Sequence, residues 1–282
     1  LSIRRQRQMC IRDRYNTING KENTVIGYQA LLNNASGSST TAIGYQAMMN
    51  YDNAAPTTDF ISYNTAVGYQ SLMGSMTAAN NTGIYNTGIG YATLKNITAG
   101  NYNTANGYQA LTLNTAGGSN TALGALTLNN NTSGSYNTAI GRSILTANTT
   151  GLGNTAVGYS TLNSNSTGNY NTAIGYGANI TGNVDNSMAL GYSASTSTAN
   201  TIQLGNTNVI TVNTSATVSA KHLKGNSSTP TIAASTGAGT SPSGVTLTGT
   251  DMSGVVALTT GSSPTISAVL ATITYNLAYS SA

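Results

Sequence analysis

Charge is what this 282-residue chain has least of. Only 6% of its residues are Asp, Glu, Lys or Arg, where an average soluble domain carries about 25%. Glu22 is the single glutamate. Helix surfaces are solvated largely by Lys and Glu, so this poverty excludes a helical bundle or an ordinary α/β enzyme. Trp is absent, Phe occurs once (Phe60), Cys once (Cys10) and His once (His222). One Cys and one His cannot build a zinc site, a Cys/His dyad or an internal disulfide framework. Six scattered carboxylates leave little material for acid–base chemistry. No apolar run approaches the roughly 20 residues of a membrane helix, so no membrane insertion is expected. No catalytic, cofactor or metal residue is assigned, and no cofactor is expected.

What the chain does have is Thr (46), Asn (36), Gly (32) and Tyr (17). Thr and Tyr favour strands, and Asn and Gly favour turns. The composition therefore reads as all-β with many tight turns, surfaced by amides and hydroxyls. The net charge of +4 suggests a nucleic-acid partner at first sight. However, Arg4, Arg5, Arg7, Arg12 and Arg14 all lie in residues 1–14, with Asp13 and Cys10. The stretch RQRQMCIRDR resembles the translation of a sequencing-adapter remnant that recurs in metagenomic protein predictions. Residues 1–14 are accordingly expected to be a disordered artefact. Without them five basic and five acidic residues remain, the chain is neutral, and no nucleic-acid partner is expected.

An internal repeat dominates the rest. The phrase Asn-Thr-Ala-Ile-Gly-Tyr recurs with small changes, as NTVIGY at Asn23, NTAVGYQ at Asn64, NTAIGR at Asn137 and NTAIGY at Asn171. The repeat glycines are Gly27, Gly44, Gly68, Gly90, Gly107, Gly124, Gly141, Gly158, Gly175, Gly191 and Gly205. Six of their ten steps are 17 residues, and two longer steps, of 24 and 22, read as insertions. A unit reads as a strand (Thr-Ala-Ile), a Gly bend, a second short strand from Tyr to Leu, and an Asn/Ser/Gly turn. Strands this short are stable only when stacked, each on its equivalent about 4.8 Å away. The expected fold class is a parallel β-solenoid or β-roll of about 17-residue coils, over roughly 48 Å for ten steps.

The first Asn of each unit is expected to form an amide ladder. The Gly column fits a bend needing positive φ or close backbone approach. About three apolar side chains per coil, such as Ala139, Ile140 and Leu145, make a thin core. This suggests a core shared between chains, and a homotrimer is expected. The Tyr column (Tyr28, Tyr45, Tyr69, Tyr91, Tyr108, Tyr159, Tyr176, Tyr192) either borders that interface or covers the coil beneath it.

The NTAIG and NSMALG phrases, closing in NTIQLGN, resemble the head repeats of trimeric autotransporter adhesins. The NTAIGYQAL form resembles repeats of phage tail fibres. The likeness covers about residues 15–210 and implies a trimeric β-roll. The period of 17, against about 14 in adhesin heads, favours the viral fibre. The resemblance implies a virion tail fibre, or an extracellular or cell-surface location. Residues 206–240 read as a strand-containing neck and linker, with His222 a solvated junction residue. Residues 241–282 read as a truncated C-terminal domain similar to a small β-sandwich, with Asp251 in a turn. The solenoid itself is expected over residues 15–205. Both true termini are expected to lie beyond this sequence.

Solenoids bind through insertions. The first insertion (MMNYDNAAPTTDFISY) holds a candidate contact loop of Tyr51, Asp52, Asp59 and Phe60, suited to a cell-surface glycan or protein receptor. The expected function is a non-enzymatic structural or adhesive fibre segment. The alternative is an ice-binding solenoid using a column of Thr41, Thr65, Thr87, Thr104, Thr121, Thr138, Thr155 and Thr172.

Overall fold

The computed structural model describes residues 20–34, 37–51, 60–76 and 81–208, together with the backbone of two strands further on. The chain divides into two compact units, Leu1–Thr211 and Val212–Ala282. In the second, Val245–Leu247 and Val256–Leu258 pair antiparallel. Residues 209–240 of the expected neck, His222 among them, and Asp251 lie outside the described residues, as do residues 1–14.

The first unit is a parallel β-solenoid. Eleven short strands, from Thr24–Ile26 to Ile202–Leu204, form one sheet whose order is the chain order. The pairing is in register with the repeat: Thr155 faces Thr172, Ala156 faces Ala173, and Gly158 faces Gly175. The two long steps leave this register intact, since Thr41 pairs with Thr65 and Thr65 with Thr87. The extra residues therefore leave the stack between strands without shifting them. Part of the first insertion builds a small sheet of its own, Gly37–Ser38 parallel to Phe60–Ile61.

Within each strand the alternation of side chains sorts inside from outside. In Thr104–Asn106 the outer residues are exposed and Ala105 is buried. This corrects one sequence expectation: Ile140, the third strand residue, points outward at 40% exposure. The interior of that coil is Ala139, Ile144 and Leu145, all fully buried. Columns of Ala (Ala105, Ala122, Ala139, Ala156, Ala173) and Leu (Leu111, Leu128, Leu145, Leu162) run the length of the stack, closed from solvent by a single chain. The smallness of the core thus reflects a narrow coil filled by small side chains. Where the strand column has Gly88, the Leu72 Cδ1 atom occupies the space a Cβ would take.

The expected second strand, from Tyr to Leu, is not a strand. Residues 108–113 are turns, and φ is positive at Gly107 (137°), Gln109 (54°) and Leu111 (51°). Left-handed φ costs an L-residue on the order of 1–2 kcal/mol, yet the same positions repeat it in coil after coil. Hydrogen bonds to both neighbouring coils offset the cost: Gln109 N–H donates to the Tyr91 carbonyl (2.8 Å) and Leu111 N–H to the Thr127 carbonyl (3.0 Å). At Gly107 a Cβ would lie 2.6 Å from the Gly124 carbonyl oxygen, so this column needs Gly for space as well as for φ.

Polar groups inside the coil are satisfied by two asparagine columns. The expected one is present. The Asn137 Oδ1 accepts from the Asn154 backbone N–H (2.9 Å) and from Asn154 Nδ2 (3.1 Å), and the Asn120–Asn137 pair repeats this geometry. The second column, eleven residues on, comprises Asn114, Asn131, Asn148 and Asn165. Asn148 Nδ2 donates to Asn131 Oδ1 at 2.8 Å. Both columns converge on one carbonyl per coil: the Gly151 oxygen accepts from Asn137 Nδ2 (2.9 Å) and Asn148 Nδ2 (3.1 Å). A carbonyl has two lone pairs, so one Gly oxygen ties the start of a coil to its closing turn.

Candidate interaction surface of the solenoid

The outer face of the sheet is built by the residues that alternation excludes from the core. Its Thr column runs through Thr24, Thr41, Thr65, Thr87, Thr104, Thr121, Thr138, Thr155 and Thr172. Thr24 and Thr104 are exposed and the others half-buried. Beside it runs an aliphatic column that includes Ile26, Ile89, Ile140, Ile174 and Leu204, all exposed.

The expected Tyr column is outside, and its rings stack. Tyr28, Tyr45, Tyr69, Tyr91 and Tyr108 follow one another at centroid distances of 5.5, 5.1, 5.0 and 5.2 Å. Such offset stacking contributes roughly 0.5–1.5 kcal/mol per pair. The run breaks at Ala125 and Arg142, then resumes with Tyr159, Tyr176 and Tyr192. The Arg142 guanidinium lies over the Tyr159 ring, 5.8 Å from its centroid, which continues the stack as a cation–π contact.

A second Tyr column, missed in the sequence reading, sits one residue before the first Asn. Tyr63, Tyr85 and Tyr102 stack at 5.1 and 4.9 Å. After Tyr102 the position alternates as Ser119, Tyr136, Gly153 and Tyr170, then becomes Asn186 and Asn200. Its signal was available: YNTAIGY carries a Tyr at each end, six residues apart, which brackets the three-residue strand.

The candidate contact loop fares unevenly. Tyr51 is buried (1% exposed) and its hydroxyl lies 3.0 Å from where a Cβ would stand at Gly83. Its ring faces the interior and is not offered to a ligand. The reason is register: Tyr51 stands 17 residues after Asn34, in the second Asn column, whose side chains point inward. Ile97 occupies the same column and is likewise buried. Phe60 lies on the short strand Phe60–Ile61, and Asp52 and Asp59 lie outside the described residues. Nothing described brings the four together.

Among the described residues no three His, Cys, Asp or Glu gather to hold a metal ion, and no helix is long and apolar enough to cross a membrane. No family model matches the chain, and no match is found among curated proteins or solved structures.

Proposed function

We propose that this protein is a non-enzymatic structural and adhesive segment of a phage tail fibre or cell-surface fibre, acting in the virion or outside the cell. The observation that supports the reading most is the unbroken eleven-strand register with its closed interior. Cross-coil hydrogen bonds and asparagine columns make a stiff rod, and a stiff rod holds loops or a distal domain away from its anchor.

The outer face supports a homotrimer. Its aliphatic and Tyr columns leave a strip about 48 Å by 20 Å, taking ten coil steps and six residues across. That is on the order of 950 Å², beside the roughly 800 Å² per partner of a stable interface. Three such strips facing one another around a threefold axis would bury the exposed Ile side chains. Light scattering of the full chain is expected to give three times the 28.6 kDa of one chain; a stable monomer would remove the trimer.

The receptor is proposed to be a cell-surface glycan or protein. Asp52, Asp59 and Phe60 are retained as the proposed contact loop. Replacing residues 52–60, which leaves the buried Tyr51 and Ser62 in place, by a short turn is expected to lower host-surface binding; undiminished binding would move adhesion elsewhere on the molecule.

One observation favours a second reading, ice binding. The nine aligned Thr form a regular outward row on a parallel sheet. Its neighbouring column is aliphatic where ice-binding faces carry a second Thr. Measurable thermal hysteresis in the purified protein would favour this reading over the fibre.

A further inference from the structure

The second Tyr column ends in a cleft. At Gly153 a Cβ would lie 2.7 Å from Tyr170 Cδ1, so the Tyr170 ring leans back over the preceding coil. Breaks at Ser119 and Gly153 are each followed by another Tyr one coil later. After Tyr170 no Tyr follows: the next two positions are Asn186 and Asn200. The forward side of the Tyr170 ring is therefore left open, and the residue is 63% exposed. The space in front of it is a cleft of about 280 Å³, lined by Tyr170, Thr172, Asn186, Met188, Asn200 and Ile202 among others.

The chemistry of this lining is specific. It carries no carboxylate, ammonium or guanidinium group. Asn186 Nδ2 donates to Asn200 Oδ1 at 2.8 Å. That bond fixes the amide pair and leaves Asn186 Oδ1 to accept and Asn200 Nδ2 to donate. Met188 and Ile202 supply an apolar floor, and Thr172 a hydroxyl. An aromatic platform, a fixed acceptor and donor, and no charge match a ring with apolar C–H faces and equatorial hydroxyls. The volume lies just below the usual range of ligand clefts, about 300–1,000 Å³, which suits a single ring.

We infer that the cleft in front of Tyr170 binds a neutral pyranose, the sugar stacking on Tyr170 with its hydroxyls on Asn186 and Asn200. This deepens the adhesive reading, and rests on it only for its biological use.

The test uses the full chain and saturation-transfer NMR with glucose, galactose, mannose and N-acetylglucosamine. Sialic acid serves as the charged control and adenosine as the planar aromatic one. At least one neutral sugar is expected to bind, at least tenfold more weakly to Tyr170→Ala and about as well to Tyr170→Phe. Tyr136→Ala, in the same column but outside the lining of this cleft, should bind like the wild type. Saturation by none of the neutral sugars, preference for sialic acid or adenosine, or equal binding by Tyr170→Ala would each overturn the inference. Host attachment is read separately: a Tyr170→Ala chain that loses sugar but keeps attachment leaves the fibre reading standing, whereas a wild-type chain that binds sugar but no host surface overturns that reading and leaves the cleft.

Discussion

The interior Asn column and the exterior Tyr columns share one period, yet they tolerate change differently. From Asn86 to Asn171 the inner column has no substitution, and where it does change it keeps a hydroxyl, at Thr40, Ser187 and Thr201. All three stay inside the hydrogen-bond chain: Thr40 N–H donates to Asn23 Oδ1, Ser187 N–H to Asn171 Oδ1, and Thr201 N–H to Ser187 Oγ. The outer columns break at Ser119, Ala125, Arg142 and Gly153 while the strands beneath keep register. Each buried polar group left without its partner costs about 1–3 kcal/mol, and one Asn engages several; an exposed ring contributes only its stacking, about 0.5–1.5 kcal/mol per neighbour. Stability is therefore concentrated in the inner ladders, and the outer face is free to vary and to bind.

That contrast can be broken first from the inside. Asn137→Leu removes the donors to Gly151 and Asn120 and the acceptor for Asn154. The Asn154 backbone N–H loses its only acceptor, and three further hydrogen bonds are lost from groups that each keep another partner; together these are expected to cost on the order of 3–6 kcal/mol in denaturant unfolding, and a loss under about 1 kcal/mol would show that the ladder does not hold the coil. Leu128→Ala, at a fully buried position, is expected to cost about 2–5 kcal/mol by the same measurement.

The outer face should yield smaller effects. Tyr85→Ala loses stacking on both Tyr63 and Tyr102, about 1–3 kcal/mol in total, visible as a lower melting temperature by circular dichroism. Tyr136→Ala, 70% exposed between Ser119 and Gly153, should stay within about 0.5 kcal/mol of the wild type. A Tyr136 effect as large as that of Asn137 would erase the distinction between the two faces.

Much of this was legible in the chain. The Gly spacing carried the coil length, and Asn-Thr-Ala carried the alternation that buries Asn and Ala and exposes Thr. Ile140 was misplaced because apolar character was allowed to outrank that alternation. Tyr51 was misplaced because it was read as part of an insertion; counting 17 from Asn34 sets it in an inward column. The second Asn column stood in the N-x-x-G phrase, whose carbonyl role appears only once the coil closes.

The sequence by itself determined the period, the parallel stacking and the charge-poor amide-and-hydroxyl character of the chain. A repeated Asn or Gly can serve one role in every coil only if the coils superpose. Tertiary structure alone decided the path between the strands. Gln109 and Leu111 have no intrinsic preference for left-handed φ, and no local pattern announces it. They adopt it where the coils above and below offer their backbone N–H groups acceptors in that geometry.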